Sequence, residues 1–213
     1  MTKWLAARSN SSHFVMSGRG SPRIAGIYSG PMARNVAFLR GVNVGGRGKF
    51  PMADFKRLLE QVGATSVKTH LNSGNAAFTS NKKPAGLQKE LHAAIVADLG
   101  RPVDVVVRTA AQLRKMIDGD PFAGVADDGS KYVVLFLTGT PDHAAVKAIE
   151  DRTEDFAPEQ FVHIGTEFYV WCPNSLRDAK LPIALADKKM GVAATARNWN
   201  TVKRMLELAE AES

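Results

Sequence analysis

The sequence predicts an α+β protein built from two ferredoxin-like (split βαβ) subdomains, the second incomplete or modified. Three observations carry this. Apolar runs of strand length alternate with segments of helical period along the chain. From Val36 to Arg108 the order is β-α-β-β-α-β, the split βαβ order. From Tyr132 the order begins again as β-α-β-β-α, followed by a last helix. The repeat rests on element order, since no residue pattern links the halves. The expected organisation is a disordered leader over 1–31, a first subdomain over 32–120 and a second over 130–213.

Each element has a local reason. A buried strand opens at Val36-Ala37-Phe38-Leu39 and runs to Gly41, and a Gly-rich loop leads to a helix over 51–62. Met52, Phe55, Leu58, Leu59 and Val62 share one face of that helix, and Gly63 suits the position after its end. Val67–Leu71 and Ala76–Thr79 read as strands around the turn Asn72-Ser73-Gly74-Asn75. A helix from Pro84 sets Leu87, Leu91, Ile95 and Leu99 on one stripe and stops at Gly100. Val103–Arg108 is a valine-rich strand, and Thr109 with Gln112 forms a capping box for a short helix. After the polar junction 119–130, Tyr132–Thr138 is a strand, and Thr140 with Pro141 reads as a helix start. Gln160–Ile164 and Glu167–Cys172 form a hairpin around Gly165-Thr166. A helix is expected near 182–189, ending at Gly191, and a last one begins at Asn198.

The chain has 213 residues and a formal charge of +7, but that charge is unevenly placed. Residues 1–31 hold Lys3, Arg8, Arg19 and Arg23 and no acid; taking those four from the 28 basic residues leaves 24 against 21 acidic ones. The folded part is therefore ordinary in charge rather than a basic platform. The leader is Ser-, Gly- and Arg-rich, acid-free and without apolar period; that composition also suits an organelle transit peptide, and the reading preferred is that Met32 is the natural start. No run of about 18 apolar residues exists, so no membrane span is expected. The single cysteine, Cys172, sits in an apolar run, excludes an internal disulfide and fits a reducing cytoplasm.

The most informative stretch is VAFLRGVNVGGRGKFPM, residues 36–52. A strand, a glycine-rich turn and a helix start place free N–H groups where an anion can sit. The Walker and dinucleotide-binding spacings both fail: Asn43 stands where the first glycine should be, Phe50 follows Lys49, and Pro51 stands where a glycine is required. In a right-handed split βαβ, strands 1 and 2 run parallel, so loop 41–49 and turn 72–75 are expected to meet at one sheet end. That end offers Arg40, Asn43, Gly45, Gly46, Ser73, Gly74 and Asn75. Arg197 and Asn198 form a third polar cluster. Asn198 suits an N-cap, and Arg197 beside a positive helix end calls for a negative partner. Two readings stay open: Arg40 and Arg197 clamp an anion across the subdomains, or each pairs with a carboxylate while Asn75 merely turns the chain.

Other chemistry is thin. The five histidines show no metal spacing, there is no cysteine pair and no nucleophile elbow, and no cofactor is implied. For nucleic acid, Phe168, Tyr169 and Trp171 on one strand offer stacking rings, and Lys49, Lys56, Arg57, Lys180, Lys188, Lys189, Lys203 and Arg204 offer charge.

LRGVNVGG with the following Pro-Met and helix, SGN before a strand, and RNWNTV near the end together resemble the DUF1697 family over about residues 34–210. The resemblance implies two ferredoxin-like subdomains and no established activity. Family members tend to carry a threonine where this chain has Ala196, and often a serine where it has Ala179. The function expected is a cytoplasmic protein binding a small anionic or phosphorylated ligand at the loop between subdomains. A nucleic-acid-binding module and a ligand-free interaction protein are the alternatives. Oligomeric state is left open.

Overall fold

Both halves of the chain run β-α-β-β-α-β-α. The computed structural model describes residues 31–43 and 49–211. The first unit comprises β1 (Ala33–Leu39), α1 (Met52–Gln61), β2 (Thr65–His70), β3 (Asn75–Ser80), α2 (Pro84–Leu99), β4 (Val105–Thr109) and α3 (Ala110–Asp118). The second comprises β5 (Tyr132–Leu137), α4 (His143–Glu150), β6 (Gln160–Ile164), β7 (Glu167–Trp171), α5 (Leu181–Leu185), β8 (Ala194–Asn198) and α6 (Trp199–Glu210), with short 3-10 turns at Thr153–Phe156 and Lys188–Met190. The sheets have strand orders β2-β3-β1-β4 and β6-β7-β5-β8, antiparallel at every pairing. These are two ferredoxin-like subdomains.

The second subdomain is therefore complete, which corrects the expectation of a missing strand. Ala194–Asn198 escapes a pattern search because its sequence, ATARN, has no apolar alternation. Its Thr195 and Arg197 are buried nonetheless, because the first subdomain covers them. Two smaller boundaries also shift. Asp142, not Thr140, caps α4 by accepting from the Ala145 N–H at 2.8 Å, and the helix expected over 182–189 is one turn of α5 followed by the 3-10 turn. The capping box at Thr109 and Gln112 and the Asn198 cap, which accepts from the Thr201 N–H at 2.9 Å, form as expected.

Strand alternation explains the layering. In β1, Ala37 and Leu39 face a core shared with α1 and α2, while Val36 and Phe38 face the other way. In β5, Val133, Leu135 and Leu137 join a core with α4 and α5, and Tyr132, Val134 and Phe136 face inward. The two inward faces, with α3 and α6, make one central core. Phe38 and Phe136 stack across it with ring centroids 4.5 Å apart.

The halves match residue for residue. Val36 opposes Arg108 and Phe38 opposes Val106, just as Val134 opposes Arg197 and Phe136 opposes Thr195. Phe38 also opposes Asn75, as Phe136 opposes Glu167. Arg108 thus corresponds to Arg197, and Asn75 to Glu167. The chain behaves as an internal dimer with its pseudo-twofold axis at the Phe38–Phe136 stack.

Candidate functional site at the end of the first sheet

β1 and β2 both run antiparallel to β3, so they are parallel and end on one side. The loop after β1 and the turn after β2 meet there, as expected. Asn43 makes the junction. Its Nδ2 donates to the carbonyls of Phe50 (2.8 Å) and Asn72 (2.7 Å), and its Oδ1 accepts from the Phe50 N–H (2.7 Å). It does so from a left-handed backbone, φ 57°, which asparagine tolerates better than most residues. One side chain thus ties both ends of segment 44–49 together and fastens them to the β2–β3 turn. Gly74 fits closely beside it: its φ is +75°, and a Cβ there would lie 2.6 Å from Leu39 Cβ. Its carbonyl accepts the Leu39 N–H at 2.8 Å. Gly45 and Gly46 lie outside the described residues, as do residues 1–30 of the expected leader.

Arg197 is the largest correction. It is neither half of an anion clamp nor the partner of a carboxylate. The residue is 9% exposed, and its donors meet protein acceptors in the first subdomain and its own strand. Nε donates to Asn75 Oδ1. Nη1 donates to Thr195 Oγ1 (2.9 Å) and the Ala196 carbonyl (2.7 Å). Nη2 donates to the carbonyls of Leu39 and Ser73, both at 2.8 Å. The guanidinium also lies over the Phe38 ring, 5.3 Å from its centroid. Burial pulls its pKa down to about 10, because water no longer solvates the charge. A cation held by neutral oxygens is tolerable because every donor is satisfied. Arg197 therefore pins β8 to the ends of β1 and β3, and Asn75 is held in turn by donating to the His70 carbonyl at 3.0 Å.

The corresponding position on the other side of the axis holds a group the sequence reading missed. Arg108 Nε donates to Glu167 Oε1 at 2.7 Å, and Nη2 donates to the Leu137 carbonyl and Thr166 Oγ1, each at 2.9 Å. Both side chains are about nine-tenths buried, at 10% and 11% exposure. Only the register of the two halves, aligned strand by strand, would have found this pair.

What remains open to solvent is Arg40. It faces Asp104 at 3.3 Å, the two side chains being 45% and 41% exposed. Lys49 is exposed, and α1 starts after its N-cap Pro51 with no side-chain cap on its first N–H groups. No acid occurs between Arg40 and Asp54, while Arg40, Arg47 and Lys49 are basic. The supposed nucleic-acid surface fares worse. Phe168, Tyr169 and Trp171 are all buried, so none is free to stack on a base. Lys56, Arg57 and Arg204 face Glu60, Asp98 and Glu207. Among the described residues no group of His, Cys, Asp and Glu is placed to hold a metal, and no helix is long and apolar enough to cross a membrane.

The family model described as "Protein of unknown function (DUF1697)" matches residues 32–169. This chain belongs to the DUF1697 family. Among solved structures it is similar to the conserved bacterial protein SP0830 from Streptococcus pneumoniae, at 22% identity and a TM-score of 0.66, over 84% of this chain and 99% of that one. At that identity the likeness concerns the fold. Comparison with curated proteins finds no match. Where the DUF1697 pattern resembled above tends to carry threonine and serine, Ala196 is exposed on β8 and Ala179 is buried in the outer core of the second sheet.

Proposed function

We propose that this DUF1697 protein binds a small anionic ligand, carboxylate or phosphate in class, at the rim where β1 passes into α1. The observation that carries the reading is the start of α1, which has no side-chain cap, follows exposed Lys49 and is tied by the Asn43–Phe50 bonds to the chain three residues after Arg40. Free N–H groups at a helix start and nearby exposed positive charge both favour an anion. The exposed Arg40–Asp104 pair is worth little in water and yields easily to a competing ligand. In this reading Ser73, Gly74, Asn75, Arg197 and Asn198 support the rim from behind and do not touch the ligand. We place the protein in the cytoplasm on its single buried Cys172.

The test is a thermal-shift titration with inorganic phosphate, nucleoside phosphates and dicarboxylates, each at two salt concentrations. A ligand that binds only the native state raises Tm. A saturable rise is expected in the wild type and its loss in Arg40→Gln and Lys49→Gln. Both positions are exposed, so the unliganded variants stay within about 0.5 kcal/mol of the parent. No shift with any anion, or an equal shift in both variants, overturns the proposal. A shift seen only with oligonucleotides and falling steeply with salt favours nucleic-acid binding instead.

A further inference from the structure

The two subdomains differ where their symmetry leads one to expect likeness, at the outer edge strands. β2 ends the first sheet and β6 ends the second at the corresponding place. β2 is guarded. Its pairing with β3 slips between Thr65 and Lys68, Ser66 takes a φ of 52°, and Lys68 stands in the strand. Irregular pairing and lysine are among the means by which native edges avoid recruiting another strand. β6 has neither. Gln160–Ile164 pairs with β7 without a register shift and contains no Asp, Glu, Lys or Arg and no proline. Among the described residues no strand pairs with its outer side. Gln160 is exposed, and Ile164 is 45% exposed. The acids that flank it are engaged elsewhere: Glu159 accepts the Lys180 and Leu181 N–H groups, and Glu167 holds Arg108.

We propose that β6 is a docking edge for a second copy of this chain, the two β6 strands pairing antiparallel about a two-fold axis at Val162. The two sheets then join into one of eight strands. A second copy is favoured because an antiparallel edge without Asp, Glu, Lys or Arg is complementary to itself, as a closed two-fold contact requires. Gln160 comes opposite the partner's Ile164, and no like charges meet. A seam of five residues is short of what a permanent dimer buries, so the association is weak and follows concentration.

Sedimentation equilibrium of the full chain over a concentration series tests this. The wild type is expected to show a monomer–dimer equilibrium. The double variant Gln160→Lys with Ile164→Lys sets lysine opposite lysine twice and weakens dimerisation by about tenfold or more. The double variant Gln160→Glu with Ile164→Lys sets glutamate opposite lysine twice and restores it at low salt. Both positions are exposed, and an unchanged circular dichroism spectrum and Tm verify folding. A wild type that stays monomeric at its highest soluble concentration overturns the proposal. So does a dimer unmoved by the double lysine variant, or equal weakening by both double variants, which assigns the contact to another surface or register.

Discussion

The two buried arginines hold equivalent places and make unequal bonds, so removing each has a different cost. Arg108→Met leaves the Glu167 carboxylate buried with only Thr166 Oγ1 beside it, at 3.0 Å. Stranding one partner of a buried ion pair costs roughly 3–5 kcal/mol. Arg197→Met strands a neutral atom, Asn75 Oδ1, for about 1–3 kcal/mol. The Leu39 carbonyl keeps the Thr195 hydroxyl at 3.1 Å, and the Gly74 carbonyl keeps the Leu39 N–H. Ser73 and Ala196 are exposed, so their carbonyls can turn to water. The substitution also removes a charge that burial disfavours, which offsets part of the loss. The expected gap is about 2 kcal/mol, or roughly 4–8 °C in Tm for a chain of this size. Urea unfolding followed by tryptophan fluorescence measures it, because Trp171 and Trp199 lie in the central core between the sheets. Adding Glu167→Gln to Arg108→Met should recover part of the loss, since the stranded charge is then gone. Equal costs for the two arginines, or a larger cost at Arg197, would refute the assignment of Arg197 to neutral partners.

Three further outcomes follow from the geometry. Gly74→Ala combines a left-handed backbone with a Cβ 2.6 Å from Leu39 Cβ and 2.8 Å from Val42 Cγ2, so chemical denaturation should show a loss of about 2–4 kcal/mol. Asn43→Ala removes three hydrogen bonds at the stem of segment 44–49, and limited proteolysis should cut there faster than in the parent, with a stability loss of about 1–3 kcal/mol. Burial pushes the Cys172 thiol up from 9.0 to about 11, so native protein at pH 8 should resist iodoacetamide while urea-unfolded protein reacts. Its folded pKa is the higher one, so the protonated thiol's contribution is complete below pH 9, fades as pH rises towards 11, and is absent from the pH–stability curve of Cys172→Ala.

Local pattern was enough for most of the fold. Helical period places α1, α2 and α6, alternation and turn residues place the two hairpins, and the topology rule brings the Asn43 loop to the Asn72 turn. These features depend on neighbours a few residues away, or on a chirality common to all chains. β8 depended on something else. Its ATARN sequence is polar because the opposing subdomain, not an alternating apolar face, covers it, so its strand state is decided by contacts 120 to 160 positions away along the chain. The same holds for the site. Asn75 was legible beside a glycine turn and Arg197 as a cation just before a helix start; that they bond to each other across the pseudo-twofold axis was not. Charge alone asked for an anion or a carboxylate near Arg197. Tertiary packing instead supplied carbonyl and amide oxygens in the geometry a guanidinium needs, and turned an expected ligand contact into the pin between two sheets.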